Sequence, residues 1–594
     1  VRNMGNLQGV QVGVMKYVDD LTITVEGPLR LCRDAVWKAF DEVKARFSDL
    51  GWALSLNKET AQGKTVALTT NTALAEMLQK PAGRRGVRVV QHARGLGVDL
   101  SARGSRVRAS VQVKRVRAVN ARKAKIRWAK KHGGETRKVG RGGLTPQATY
   151  GMKCLMATPQ EREKVRAAVN FTEVGKTHSC SRTLRLAAGG LDPTHDMLSA
   201  PLFMWACVVW EHGVVPKARL AWLRHRDTTS WEEVRGPAAS VSMITQELGW
   251  RWPDPGVFYT RDGYRVDLRH VAPRDVQRQA RLDSEAAMWD RWCQAQDGAL
   301  GSLAPRPFID PIREWFKKRK IGPGTHLARQ AVSGGQWVQQ RAFNEGRSDT
   351  NGCQRCAAQG IAAAGTVVHR MCQCPSTESI RKELPRTWQQ RMAHGHERLL
   401  WERALTPAVP DPASAVQSRT EHWTAEAGSD RCFADPTWKV AVDGSKVGRY
   451  IGSSRAGYAV VATDAQGEVQ VALTGLVQAD LPCQNTSGRG ELEAVLALTR
   501  NMGAFPVTFL TDYQRVLDGL RRGRKWCCNG KRRDADLWKL IWDRYEELAD
   551  EGLLYPGKVK AHTALYKIEE ASEEDKPKLL ANRAVDLAAR GVAT

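Results

Sequence analysis

The sequence predicts a multidomain chain, α/β at its two ends and largely helical between them. Three observations carry this. A chain of 594 residues is too long for one hydrophobic core. From Asp435 onward, short β-branched runs alternate with runs of helical period, in the order three strands, helix, strand, two helices, strand, helix. The stretch 201–340 is instead tryptophan-rich and helical in pattern, and residues 1–100 return to short apolar strands.

Charge narrows the class of partner. Lys and Arg number 91 against 63 Asp and Glu, a formal net charge of +28, which points to a polyanion. No run of eighteen apolar residues and no secretory signal pattern is present, so an intracellular protein of nucleus or cytoplasm is expected. Cysteines such as Cys32, Cys207 and Cys293 stand singly in apolar surroundings and read as reduced, buried thiols rather than a disulfide framework. The opening Val1 fits a fragment whose upstream part is missing.

Val10 to Val25 forms two β-branched stretches around Tyr17-Val-Asp-Asp20, a hairpin with two acids at its tip. Gly51-Trp-Ala-Leu-Ser-Leu-Asn-Lys-Glu-Thr60 and Leu96-Gly-Val-Asp-Leu100 follow. In that order these segments resemble the Y-x-D-D box, the next palm motif with its lysine at Lys58, and the L-G-V primer-grip strand of reverse transcriptases. The resemblance implies a partial polymerase site at Asp19 and Asp20. A palm also needs an aspartate from an earlier strand, and only sixteen residues precede Tyr17. Polymerase activity is therefore not expected from this chain alone, and residues 1–100 read as the back half of a palm.

Between Pro81 and Thr145 stand nineteen Lys or Arg against two acids. Val111–Val119 and Ala121–Lys131 have helical spacing with a mostly basic face, suited to salt-sensitive phosphate contacts that read no sequence. The placement matches a reverse transcriptase thumb, and residues 101–200 are assigned to it. In the connection at 201–340, Trp205, Trp210, Trp222, Trp250, Trp252, Trp289, Trp292 and Trp315 are expected to pack in cores. Asp262-Gly263 is expected to turn a hairpin.

Within 341–400, Cys353-Gln-Arg-Cys356 is followed after twelve residues by His369-Arg-Met-Cys-Gln-Cys374-Pro375. Two short knuckles at this spacing can close tetrahedrally on zinc. The pattern resembles the Cys-Cys-His-Cys element that follows the reverse transcriptase in many non-LTR retrotransposons, which implies structural Zn²⁺ on Cys353, Cys356, His369 and Cys374. Cys372 is an extra thiol able to replace Cys374. Residues 401–434, rich in Pro, Ala, Ser and acids, are expected to be a linker.

The expected elements of 435–594 are strands Trp438–Val442, Ala456–Thr463 and Val469–Gly475, helix Gly488–Met502, strand Val507–Asp512, helices Tyr513–Arg521 and Ala535–Glu551, strand Lys558–Ala561 and a helix near Ala581–Ala589. Four acids sit on them: Asp443 in Asp-Gly-Ser after the first strand, Glu491 in Gly-Glu-Leu-Glu-Ala, Asp512 in Thr-Asp, and Asp586 in Asn-Arg-Ala-Val-Asp. In order and setting they resemble the Asp, Glu, Asp, Asp of type 1 ribonuclease H domains carried by retroelement reverse transcriptases, with His562 in the place of the family's mobile histidine.

The resemblance implies an RNase H-like α/β domain with a mixed five-stranded sheet. It implies a catalytic set of Asp443, Glu491, Asp512, Asp586 and His562, and two Mg²⁺ or Mn²⁺ ions held by the four acids, about 3.5–4 Å apart. The expected reaction is hydrolysis of the RNA strand of an RNA–DNA hybrid, leaving 3′-hydroxyl and 5′-phosphate ends. The competing readings are a nucleic-acid-binding remnant whose acids only shape a fold, and part of a full reverse transcriptase if the product extends upstream.

Overall fold

The computed structural model describes residues 9–593 except 18–19, 55, 57–64, 70, 91, 96–97, 102–109, 135, 174–179, 235, 301–306, 319–322, 395–397, 408–420, 426–431, 434 and 449–454. Asp19, Lys58 and the Leu96-Gly97 start of the L-G-V segment lie outside the described residues, as does most of the expected linker.

The chain opens on an antiparallel hairpin, Gln11–Tyr17 with Asp20–Glu26, in which Tyr17 pairs with Asp20. Helices Leu29–Asp49 and Thr72–Arg84 bury Cys32, Trp37, Phe40, Leu74 and Leu78 beside Val10, giving this segment a small core of its own.

The basic stretch forms helices Ser110–Ala121 and Lys123–Lys131. Their few apolar residues, Val116, Val119 and Ile126, enter a large core that continues through helix α1 (Pro193–His212) to Val276 and Ala280 on helix α2 (Pro273–Leu300). The division expected at residue 200 falls inside α1, whose two halves share that core. Trp205, Trp222, Trp250 and Trp252 are buried in it, while Trp289 and Trp292 lie in a neighbouring cluster. Trp205 meets Trp252 edge-on at 5.0 Å, and its indole N–H donates to the Pro255 carbonyl at 2.8 Å, so the polar end of a buried ring is satisfied. Strands Val257–Tyr259 and Arg265–Asp267 form the expected hairpin, with Gly263 at φ +87° in the turn.

The C-terminal unit is a mixed sheet of six strands, not five. The strands are β1 (Glu421–Ala425), β2 (Lys439–Val447), β3 (Arg455–Thr463), β4 (Val469–Leu476), β5 (Val507–Thr511) and β6 (Leu554–Lys558), in spatial order 1-4-3-2-5-6. Pairs 1–4, 4–3 and 3–2 are antiparallel, and 2–5 and 5–6 are parallel. The sixth strand, β1, comes from the expected linker: as an edge strand it pairs on one side only and needs no continuous apolar run.

The strand expected at Lys558–Ala561 lies earlier, at Leu554–Lys558, in register with Val507–Thr511. The β-branched signal of Val559 misleads because an edge position tolerates Tyr555, Pro556 and Gly557. Period-two alternation splits the core. Val440 and Val442 face helices α3 (Ser487–Arg500) and α4 (Ala535–Asp550), whereas Ala441, Ala459 and Val461 face helix α5 (Asp575–Ala593). Helix α5 is longer than its expected core. It begins in the acidic stretch, where the Ser572 hydroxyl accepts from the Asp575 N–H at 3.2 Å and Asp575 places a negative charge on the first turn.

Candidate active site

Three of the four predicted acids meet. Asp443 is in β2 next to the central register with β3, Glu491 lies in the second turn of α3, and Asp512 follows the last residue of β5. One carboxylate oxygen from each lies within 4.8 Å of the others. The convergence follows from register: β2 runs on to Val447, past the end expected at Val442, so Asp443 lies mid-strand, and the parallel pairing of Ala441 with Leu510 brings it level with Asp512 while α3 crosses β2 at Gly444.

Two glycines permit that crossing. A Cβ on Gly444 would lie 2.1 Å from the Glu491 backbone nitrogen, and one on Gly490 would lie 2.7 Å from the Gly457 carbonyl oxygen and 3.0 Å from the Gly444 Cα. The Gly of Asp-Gly-Ser and the Gly of Gly-Glu-Leu are therefore a matched pair that lets backbone touch backbone. Thr486 caps α3 by accepting from the Arg489 N–H at 3.1 Å.

The electrostatics are those of a site short of positive charge. Burial pushes the Glu491 carboxyl well above its ordinary range, and the adjacent Asp443 adds to it. Asp443 is raised as well, first by burial and then by Asp512 and Asp586, against an opposing hydrogen bond with Glu491. Glu491 Oε2 is buried without a hydrogen-bond partner. An orphaned carboxylate oxygen facing two more carboxylates matches what a hard divalent cation requires: oxygen donors and uncompensated negative charge. The donor set fits Mg²⁺ or Mn²⁺.

Asp586 stands at the rim rather than in the three-acid cluster. Its Oδ1 accepts from Arg590 Nε at 2.9 Å, and its Oδ2 lies 3.5 Å from His562 Nδ1. His562 has φ +45° and a side chain 67% exposed, and its Nδ1 is approached by both Asp586 and Arg590.

The second predicted cluster also assembles. Cys356 Sγ lies 3.2 Å from His369 Nε2 and 3.6 Å from Cys374 Sγ, and Cys353 Sγ lies 3.9 Å from Cys374 Sγ. Zn–S bonds of about 2.3 Å in a tetrahedron space the sulfurs about 3.8 Å apart, so the donors fit zinc. Cys372 is elsewhere, packed with Val368, Leu384 and Leu400, and the fourth position belongs to Cys374.

No protein-family model and no curated protein matches this chain. Two solved structures show weak likeness to about a quarter of it. The solution structure of the PFV RNase H domain is 18% identical over 26% of this chain and 95% of that one, with a TM-score of 0.20. The crystal structure of Prototype Foamy Virus protease–reverse transcriptase is 19% identical over 28% of this chain and 22% of that one, also with a TM-score of 0.20. The assignment of the site accordingly stands on its geometry and motifs.

A basic cleft of about 1980 Å³ lies apart from the acids, between the Lys123–Lys131 helix, α1, α2 and Arg533. Lys131, Arg141, Arg274 and Lys317 line it among others. Lys130 is diverted to structure: its ammonium donates to the Glu173 carbonyl, and burial pulls its pKa down to about 8. Asp20 begins the second strand of the N-terminal hairpin. Arg489 and Asp534 are buried near α3, with Asp536 half-buried beside them; Asp534 and Asp536 are legible in the sequence as N-terminal charge on the following helix, but their meeting with Arg489 is not.

Proposed function

We propose that the C-terminal α/β unit is a divalent-metal-dependent ribonuclease H that hydrolyses the RNA strand of an RNA–DNA hybrid. The observation that carries the reading is the meeting of Asp443, Glu491 and Asp512 from two strands and a helix, with the Glu491 oxygen left unpaired. The ordered motifs, read as a retroelement type 1 RNase H pattern, supply the substrate class.

In this reading Asp443, Glu491 and Asp512 hold Mg²⁺ or Mn²⁺, with Asp586 completing the set from the rim. Such ions activate water and stabilise the charge that develops on the leaving 3′ oxygen. His562 carries a proton to or from the rim, with its ring oriented by the Asp586 carboxylate. Discrimination of hybrid from duplex DNA rests on contacts to the 2′-hydroxyls of one strand. The basic cleft and the Ser110–Lys131 helices contribute phosphate contacts, and Cys353, Cys356, His369 and Cys374 hold a structural zinc. Residues 1–100 and 101–340 are assigned to palm-derived, thumb and connection segments of a retroelement polyprotein.

The test is digestion of a labelled RNA–DNA hybrid by the full chain with and without Mg²⁺ or Mn²⁺. Metal-dependent cleavage of the RNA strand, abolished in Asp443→Asn with hybrid binding retained, is expected. Failure of the wild-type chain to cleave, or equal cleavage by the variant, overturns the reading.

A further inference from the structure

The first turn of α3 is held from outside the nuclease unit as well as from within. Arg489, 3% exposed, lies two residues before Glu491. Its Nε donates to the Gln478 carbonyl at 3.0 Å, and its Nη2 meets Asp536 at 2.8 Å, which ties α3 to the start of α4. Beside it Asp534, fully buried at φ +58°, lies 3.8 Å from Arg489 Nη1 and 3.4 Å from Arg515 Nη1. The Asp534 backbone N–H in turn donates at 3.2 Å to the carboxylate of Asp275. Asp275 is fully buried and sits in the first turn of α2, more than two hundred residues earlier in the helical region.

The surroundings make this contact a seat rather than a chance touch. Leu481 and Cys483 of the nuclease unit enter the core of the helical region. The Cys483 thiol donates to the Asp275 carbonyl at 3.4 Å, and Arg278 donates to the Cys483 carbonyl at 2.7 Å. The indole of Trp210 on α1 donates to the Cys528 carbonyl at 3.3 Å. Three carboxylates, Asp275, Asp534 and Asp536, share the neighbourhood of Arg489, and burial together with Asp534 pushes the Asp275 carboxyl up to about 7. A buried polar cluster tolerates little displacement, because each member left without its partner loses far more than it would in water.

We propose that Asp275 is a positioning residue for Glu491: through Asp534 and Arg489 it fixes the first turn of α3, so that the metal-binding geometry of the nuclease unit depends on its docking against α2. The lever is short. Glu491 follows Arg489 within one turn, and its backbone already touches Gly444, so a shift of the turn moves the Glu491 carboxylate against Asp443. The chemistry of the variants separates this role from simple stability. Asp275→Asn keeps an oxygen to accept the Asp534 N–H, whereas Asp275→Ala leaves that buried donor bare.

This inference rests on the ribonuclease H reading, and the test distinguishes the two. Mn²⁺ binding to the zinc-loaded full chain is measured by calorimetry without substrate, alongside hybrid cleavage as kcat and KM. The expected result is an about 10-fold weaker Mn²⁺ affinity and lower kcat in Asp275→Ala, with KM for hybrid unchanged and with recovery in Asp275→Asn. Trp210→Ala, which loosens the same interface away from Arg489, serves as the stability control and is expected to move Mn²⁺ affinity less. Wild-type cleavage with Asp275→Ala matching wild type in Mn²⁺ affinity overturns the positioning role alone, as does equal weakening in Trp210→Ala. A wild-type chain that neither binds Mn²⁺ nor cleaves hybrid overturns the nuclease reading beneath it.

Discussion

The acid cluster and the thiol–imidazole cluster each bring their donors within 4.8 Å of one another, yet they are built in opposite ways. Asp443, Glu491 and Asp512 hang from a six-stranded sheet and a helix whose apolar cores lie on both sheet faces. Cys353, Cys356, His369 and Cys374 hang from segments of four and five helical residues, and among the described residues the small apolar cluster beside them buries Leu400 alone. On the proposed reading, the protein itself forms the first site and an ion would supply its chemistry, whereas in the second an ion would take the place of a core. Like charges held together by a rigid scaffold are a sign of function, because the scaffold opposes their repulsion; donors with no scaffold are a sign of structural metal.

Asp443→Asn breaks the comparison most sharply on the acid side. Cleavage is expected to fall more than about 100-fold, beyond the loss typical of residues outside the ligand set. The metal-free chain should become no less stable, since one of several crowded acids is removed. The sign follows from the shifts. Asp443 and Glu491 sit above their ordinary values in the folded chain, so the stability they contribute is complete below the ordinary carboxylate range and is lost as the pH rises through their folded values. Melting temperature without divalent metal should thus fall as the pH is raised from 4 towards neutral, and fall less in Asp443→Asn. A melting curve that rises over that range in the wild type and not in the variant contradicts the arrangement.

On the other side, Cys356→Ser or removal of zinc by a chelator should unfold residues near 350–376 while hybrid cleavage at saturating Mg²⁺ changes by less than about two-fold. Structural zinc contributes about 10–16 kcal/mol to such small elements, far more than their apolar contacts supply. Limited proteolysis of the full chain reports the first effect and the digestion assay the second. Loss of nuclease activity together with the knuckle would show that the two clusters are mechanically linked.

Much of this is legible in the sequence. The four acids stand in local motifs because each is positioned by the element that carries it, and Asp-Gly-Ser and Gly-Glu-Leu even contain the two glycines whose contact brings Asp443 and Glu491 together. The three-acid cluster and the Cys-Cys-His-Cys cluster were therefore legible, and the rim position of Asp586 was not, because it depends on Arg590 and His562 folding across it. Strand β1 is hidden in linker-like composition, since Glu421, His422 and Thr424 are exposed and the strand answers to a single neighbour, β4. The contact of Asp275 with Asp534 had no sequence signature at all: partners so far apart in the chain leave no periodicity to read.

A smaller effect sharpens the role of backbone contact. Gly490→Ala puts a methyl against backbone atoms that cannot rotate away, so a cost of about 1–3 kcal/mol is expected with a drop in cleavage. Gly591→Ala meets nothing within 4 Å in the same unit and should be neutral or stabilise by up to about 1 kcal/mol. Chemical denaturation of both variants measures the difference. Equal midpoints would mean that α3 and β2 do not need their close approach.

The smallest change is expected at His562. Its ring is mostly exposed and lies 3.5 Å from Asp586, and its backbone occupies the left-handed region that Asn also tolerates, so His562→Asn alters the side chain with little backbone penalty. His562→Asn is expected to lower turnover less than Asp443→Asn does, with KM and Mn²⁺ affinity unchanged. Should His562→Asn instead weaken Mn²⁺ binding as strongly as Asp443→Asn, the histidine would belong with the ligands, and the boundary between a buried acid cluster and an exposed rim would have to be redrawn around Asp586.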